Sequence, residues 1–470
     1  MTGGRTLALG LCLVLLSGCA SAHYVTLIPA KTSGECAATM SERDLHIGVA
    51  LSGGGSRAAL FGSAGLEALA GVRLDDGSSL LEHVTHLSSV SGGSIAAAHY
   101  ALQKPGKDVK VLNPDGTLTA AYRTFFKQYR EDLGQDFETA LIWRQLLSFR
   151  WLNSALAART LSEILAEKLY GTARLQTVAT REKAGDSPGL IVNTTLYNNG
   201  RRLAATALPP DAFDYDFFAD LERELKEQGS KLKPAPWMRE RWKVIRPMTL
   251  IDIGADPCAF TMGGVVAASA SFPPLVGPIT MRVGQLESYW HAGDGGLYEN
   301  QGLETLILLY LKQLQAKRAK RALILGFDSS YPFSVGERKL LRRSLPFSLL
   351  SFDFSRIPSI MEERASAYSS LFFATLQVQG VVPDPQTFTV MVLRHTDAKW
   401  APDLSDLPPA CQTEAERKTF EDADDVVERI AEIPTRLVIA SECDRQLLAT
   451  AARKVVAAHR DRILEFMRPR

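Results

Sequence analysis

Residues 84–102 read VTHLSSVSGGSIAAAHYAL. Residues 84–90 form a short run of β-branched, apolar and small side chains, and residues 92–102 a run of small helix formers, so Ser91 falls where a strand passes into a helix. That is the layout of a nucleophile elbow, in which a sharp turn exposes the serine hydroxyl at a helix N-terminus. Side chains two places before and two after such a serine collide where strand and helix cross, so the usual pattern is G-x-S-x-G. Here Ser89 stands in the first glycine position, while Gly92 and Gly93 follow the serine. S-x-S-G-G is a weak signal by itself, and its weight depends on what flanks it.

Upstream, the apolar run 46–51 ends in Ser52-Gly53-Gly54-Gly55-Ser56-Arg57, and residues 58–70 have helical periodicity. Glycines at a strand-to-helix turn leave backbone N–H groups open to a phosphate or to the oxyanion of a tetrahedral intermediate. The spacing of Gly53, Gly55 and Ala58 also fits the dinucleotide pattern G-x-G-x-x-A, with Asp75 or Asp76 about 20 residues on. Against that alternative, Asp75-Asp76-Gly77 reads as a turn, and Ser91 is left without a role. Downstream lies His291-Ala292-Gly293-Asp294-Gly295-Gly296, then Asn300-Gln301-Gly302, where glycines on both sides let one carboxylate approach another loop closely. Residues 190–193, 248–253 and 322–327 are further strand candidates. Strands alternating with helices predict an α/β fold with a mostly parallel sheet.

Together these pieces resemble the patatin-like phospholipase family over residues 45–327. Residues 190–200 and Ala267-Ala268-Ser269-Ala270-Ser271-Phe272-Pro273 resemble two further family passages. The resemblance implies a three-layer sandwich in a catalytic domain spanning 44–330, within which the stretches at about 103–185 and 209–245 are too long for plain loops and read as helical insertions or lids. It also implies Ser91 as nucleophile, Asp294 as its base, and Gly54 and Gly55 as oxyanion donors. Gly53, Arg57, Gly92, Gly93, Gly295 and Gly296 are the supporting residues, and no cofactor is implied. The expected reaction is hydrolysis of a membrane-lipid ester through an acyl-enzyme, as in phospholipase A or lysophospholipase action. Ser89 for glycine and Ala58 for a later glycine are departures that bear on fine geometry.

An aspartate near the ordinary pKa of about 3.9 is ionised at neutral pH and can take the serine proton without a histidine. Three rivals remain at this stage. A Ser-Asp-His triad would need a histidine after Asp294, and His395 and His459 are available; His459 lies on an apolar helical stripe, and His395 follows a strand-like run, 387–393. A lipid-binding lipoprotein with a vestigial site is the second. An acyltransferase, differing only in the acceptor of the acyl group, is the third.

The N-terminus reads as a secretory signal over 1–18: Arg5, an apolar run at 7–16, then small residues. Leu16-Ser17-Gly18-Cys19 resembles the bacterial lipobox, which implies lipidation at Cys19 and a lipid anchor in the cell envelope. Ala20 is similar to the sorting context of outer-membrane lipoproteins. Residues 19–43 suit a tether, and residues 331–470 read as a largely helical C-terminal extension. The 53 Lys plus Arg nearly cancel the 52 Asp plus Glu, so nucleic acid is not an expected partner. No CxxC, HExxH or Cys/His cluster calls for a metal. Cys36, Cys258, Cys411 and Cys443 permit three disulfide pairings or free thiols. Among the pairings Cys411 with Cys443 is expected, because both lie in one C-terminal segment. In the first insertion, Tyr122, Phe125, Phe126, Tyr129 and Leu133 share one helix face, expected to be core rather than membrane contact. The sequence fixes no oligomeric state.

Overall fold

The structure, a computed structural model, describes residues 24–29, 40, 42–148, 150, 155–273, 276–284, 289–330 and 356–468. Its strands are β1 (Tyr24–Leu27), β2 (Leu45–Leu51), β3 (His86–Val90), β4 (Gly189–Leu196), β5 (Arg201–Ala205), β6 (Met248–Thr249), β7 (Ile279–Val283), β8 (Tyr289–Asp294), β9 (Arg321–Asp328) and β10 (Phe388–Arg394). These ten make one sheet in the order β1-β7-β8-β4-β3-β2-β9-β10, with β5 beside β4 and β6 beside β5. The run β4-β3-β2-β9-β10 is parallel throughout, and β8 joins β4 antiparallel.

Apolar side chains of the central strands alternate between two cores, which makes the fold a three-layer sandwich. Ile47, Val49 and Leu51 of β2, with Leu323, Leu325 and Phe327 of β9, face one core. Helices Gly55–Ala70, Gly92–Gln103 and Met262–Ser269 contribute to that core. Ala50, Ala322 and Ile324 face the other, built largely by helix Leu303–Gln315 and by Phe213, Phe217 and Phe218. Both strand faces are covered, which is why β2 and β9 are near-continuous apolar runs.

Both insertions are helical, with Ala120–Leu133, Phe137–Leu147, Ala155–Leu165 and Leu175–Ala184 in the first, and Phe217–Glu227 and Pro236–Ile245 in the second. Tyr122, Phe126, Tyr129 and Leu133 are buried in the first core. Tyr129 and Tyr170 donate their hydroxyls to the carbonyls of Ala96 (2.7 Å) and Ile95 (3.0 Å), clamping the helix that follows Ser91. Trp143 and Leu147 of the next helix remain exposed, at 59% and 78%.

The sequence-derived boundaries at 43 and 330 do not coincide with edges of the folded body. Tyr24–Leu27, from the stretch expected to be a tether, is a strand paired with β7. Beyond residue 330, β10 lies parallel to β9, so that long apolar strand is paired on both sides rather than left as an edge. Helix Glu442–Met467 buries Leu447, Leu448, Ala451, Ala452, Val455 and Ile463 in the same core as helix Gly55–Ala70. Cys411 and Cys443 form a disulfide across this region, and Cys258 is disulfide-bonded as well. Of the strand expected at 248–253 only Met248–Thr249 is strand, followed by a turn.

Candidate active site

Ser91 sits between β3 and helix Gly92–Gln103 with φ 51° and ψ −120°, in a region few non-glycine residues enter. Three elements hold it there. The strand register places Val90 beside Asn193 of β4, and Thr194 beside Asp294 of β8, so the serine and the aspartate emerge at the same end of the sheet. Gly92 and Gly93 permit the crossing, since a Cβ on Gly92 would run into the Gly55 carbonyl and one on Gly93 would lie 2.5 Å from the Ser52 carbonyl. Finally, the Ser91 N–H donates to Ser269 Oγ (2.9 Å), and Ser269 Oγ donates to the Asn193 carbonyl (2.6 Å).

That last contact belongs to a buried polar network beneath the elbow. Asn193 Nδ2 donates to Ser88 Oγ (2.9 Å) and to the Ser89 carbonyl (3.1 Å), and its Oδ1 accepts from Thr305 (2.7 Å). Ser89 Oγ donates to the Ile191 carbonyl (3.2 Å) and accepts from Ser94 (3.1 Å). Ser89 in place of glycine is therefore accommodated as a partner in this network. Ser269, Asn193, Thr305 and Ser94 had no role assigned from sequence, although Ser269 lies in the family-like stretch 267–273.

Asp294 ends β8 and is 2% exposed. Its carboxylate accepts from the Gly296 N–H (2.8 Å), and the Ser91 side chain favours its charged form. Burial pushes its pKa up to about 7, against the lowering pull of Gly296 and Ser91. The ordinary aspartate value expected from sequence is thus displaced, because that expectation ignored the loss of water around the carboxyl. Gly295 lets the chain turn against β4, as a Cβ there would lie 2.5 Å from the Asn193 carbonyl. Gly296 is packed against Asn300 Oδ1 (2.7 Å from an added Cβ).

The glycine turn closes the third side. Gly53 is tied through its N–H to the Asn300 carbonyl (2.9 Å), and a Cβ on it would lie 3.2 Å from Ser91 Cβ. Gly54 and Gly55 have φ of 137° and 60°, and among the described residues their N–H groups have no hydrogen-bond partner. Arg57, 1% exposed, donates to the carbonyls of Ser329 (3.0 Å) and Ile433 (2.6 Å) and to Thr435 Oγ1 (3.3 Å), so its guanidinium is committed to the protein's own loops.

The histidines lie elsewhere. His395 is buried at the end of β10, donates from Nδ1 to the Asp328 carbonyl (3.2 Å) and packs edge-on to Phe61. Its pKa is held down to about 3 by burial and by Arg57, so it is neutral. His459 donates to the Val455 carbonyl of its own helix (2.8 Å), and His291 pairs with Thr280 of β7 (2.9 Å). Cys19 lies outside the described residues. Among the described residues no cluster of His, Cys, Asp and Glu could hold a metal ion.

A cavity of about 530 Å³ opens beyond Gly296 and Asn300. Gly296 and Asn300 line one end, and Leu303, Ile307, Phe373 and Val392 continue an apolar wall between helices Leu303–Gln315 and Arg356–Val378.

The α/β sandwich thus brings a strained serine at a strand-to-helix elbow, a buried aspartate and a glycine turn to one end of its sheet. The sequence model of the patatin-like phospholipases matches residues 49–307, and the chain belongs to that family of lipid acyl hydrolases. No curated protein matches the chain. Among solved structures, human GIVD cytosolic phospholipase A2 aligns at 14% identity over 90% of this chain and 59% of its own, with a TM-score of 0.40. VipD from Legionella pneumophila aligns at 13% identity over 90% of this chain and 76% of its own, with a TM-score of 0.26. The chain thus spans about three fifths of the length of the human enzyme.

Proposed function

We propose that the protein is a lipid acyl hydrolase of the phospholipase A or lysophospholipase kind, working through a Ser91–Asp294 dyad. The observation that carries this reading is the placing of Ser91, at a strained strand-to-helix elbow, beside a carboxylate that burial has made a stronger base than a free aspartate. Asp294 accepts the proton as Ser91 Oγ attacks the ester carbonyl. The developing oxyanion is received by the free N–H groups of Gly54 and Gly55, a contribution of about 3 to 4 kcal/mol per donor in comparable sites. Asp294 then returns the proton to the departing lysolipid or alcohol, and water resolves the acyl-enzyme to a free fatty acid. The apolar wall of the cavity beyond Gly296 and Asn300 gives an acyl chain a dry surface, in the size range of ligand pockets of about 300–1,000 Å³. No histidine takes part, in keeping with the separate partners of His291, His395 and His459.

The test is incubation of the purified protein with defined phospholipids, lysophospholipids and short esters, followed by product analysis. Free fatty acid and lysolipid, lost together in Ser91→Ala, are expected. Lipid binding without turnover would favour the vestigial reading, and acyl transfer to an added alcohol in preference to water would favour the transferase.

The lipobox at Leu16–Cys19 supports a second proposal, that the chain is lipid-anchored at Cys19 in the bacterial cell envelope, on the outer membrane. One acyl chain gives only reversible binding, whereas two or three make an anchor almost permanent. Metabolic labelling with an alkyne fatty acid marks the wild type on this reading. Persistence of the label in Cys19→Ala would contradict it.

A further inference from the structure

The turn bearing Gly54 and Gly55 is held in place from outside. Two successive positive φ angles, 137° and 60°, make a backbone that relaxes unless its surroundings fix it. The surroundings that fix it lie nearly 400 residues away in sequence, in the strap 433–437 between helices Ala423–Glu432 and Glu442–Met467.

The strap meets the turn through the main chain. The Ser56 N–H donates to the Arg436 carbonyl (2.7 Å), and a Cβ on Gly55 would lie 3.0 Å from the Arg436 carbonyl carbon and 3.1 Å from its nitrogen. Engaging Ser56 leaves Gly54 and Gly55 as the free amides of the turn. Arg57 then grips the strap at Ile433 and Thr435. On its far side the strap is pinned to the first insertion. Glu138, on helix Phe137–Leu147 and 6% exposed, accepts from Arg436 Nε (3.0 Å) and from the Leu437 N–H (3.2 Å). The Phe137 N–H donates back to the Leu437 carbonyl (3.2 Å). A buried carboxylate bonded to both a guanidinium fork and a main-chain amide sets position and angle together.

We propose that Glu138 and Arg436 are positioning residues: their ion pair fixes the strap, and the strap fixes Gly54 and Gly55 beside Ser91. This rests on reading those two glycines as the oxyanion donors. Neither side chain touches substrate. The segment beyond residue 330 thereby acts on catalysis without supplying a reacting group.

Glu138→Gln, Arg436→Lys, Arg436→Ala and the double variant Glu138→Gln/Arg436→Ala test this in the full-length protein. Competent sites are counted by fluorophosphonate titration, turnover is expressed per competent site, and hydrogen exchange is followed across residues 53–57. Glu138→Gln and Arg436→Ala should lower kcat per site by about 10- to 100-fold with KM nearly unchanged, less than full removal of an oxyanion donor. Exchange across 53–57 should accelerate in the same variants. Arg436→Lys should recover part of the loss, and the double variant should be no worse than the poorer single. If only the number of competent sites falls, with kcat per site unchanged, the pair is merely structural and the proposal fails. Unchanged exchange across 53–57 in Glu138→Gln overturns it too. A wild-type protein that takes neither ester nor fluorophosphonate refutes the functional reading instead, while the exchange data still decide whether the strap holds the turn.

Discussion

Burial of Asp294 makes a specific prediction about pH. Its pKa is pushed up to about 7, and only the ionised form can accept the Ser91 proton, so activity should rise with pH through that value. With a pKa near 7 about 90% of the carboxyl is ionised at pH 8 and about 1% at pH 5, so kcat/KM should fall roughly 90-fold across that interval. An aspartate at its ordinary value would still be more than about 90% ionised at pH 5, and the profile would be nearly flat. The assay is fatty-acid release from one ester substrate between pH 5 and 9, checked against folded fraction at each pH. A histidine base would also give a limb near pH 6.5, so the profile alone does not separate the two. Substitution does: His395→Ala and His459→Ala should keep the limb and cost at most a modest factor, whereas loss of a triad histidine costs at least about a thousandfold. A flat profile in the wild type would refute the burial argument. A limb that disappears with either histidine would refute Asp294 as the base.

The remaining predictions concern the supports of the site. Cys411→Ser should lower stability by about 3 to 4 kcal/mol, the chain-entropy value for a loop of 32 residues, read as a shift in denaturant midpoint under oxidising conditions; an unmoved midpoint would show that the bond does not matter. Arg57→Lys cannot reproduce the three bonds to Ser329, Ile433 and Thr435, so kcat should fall equally for phosphate-bearing and neutral esters. A rise in KM confined to phosphate-bearing substrates would show instead that Arg57 meets the headgroup. Ser89→Ala removes the hydroxyl that bridges Ser94 and the Ile191 carbonyl, while Ser94 keeps Ser269 Oγ (2.9 Å), and should cost about 0.5 to 1.5 kcal/mol in urea unfolding, an expectation that fails if Ala is neutral there.

What could be read from the sequence is what local chemistry demands. A serine between an apolar strand and a run of small residues, a triple-glycine turn and an aspartate flanked by glycines each leave a mark in residue type, because a Cβ at Gly92, Gly93 or Gly295 would strike main chain. The alternation of strands and helices was legible because the spacing of apolar residues differs between the two. The pKa of Asp294 was not legible, since it depends on desolvation by parts of the chain distant in sequence. Nor was the strap, because its decisive contact is the main-chain carbonyl of Arg436, which any residue at that position would offer. The run before His395 was readable as strand-like, but its place beside β9 was not, since parallel pairing over such a separation leaves no local pattern. Ser269 and Thr305 likewise look like ordinary hydroxyls until their partners are known.

The central claim is that Ser91 carries the acyl group. Incubating wild type and Ser91→Ala with a fluorophosphonate and with a slowly deacylating ester, then mapping the adducts by peptide mass spectrometry, tests it most directly. Both reagents should mark Ser91 and no other residue, and the Ser91→Ala protein, still folded, should take neither label and release no fatty acid. An adduct on another residue, or hydrolysis that survives in Ser91→Ala, would contradict the account.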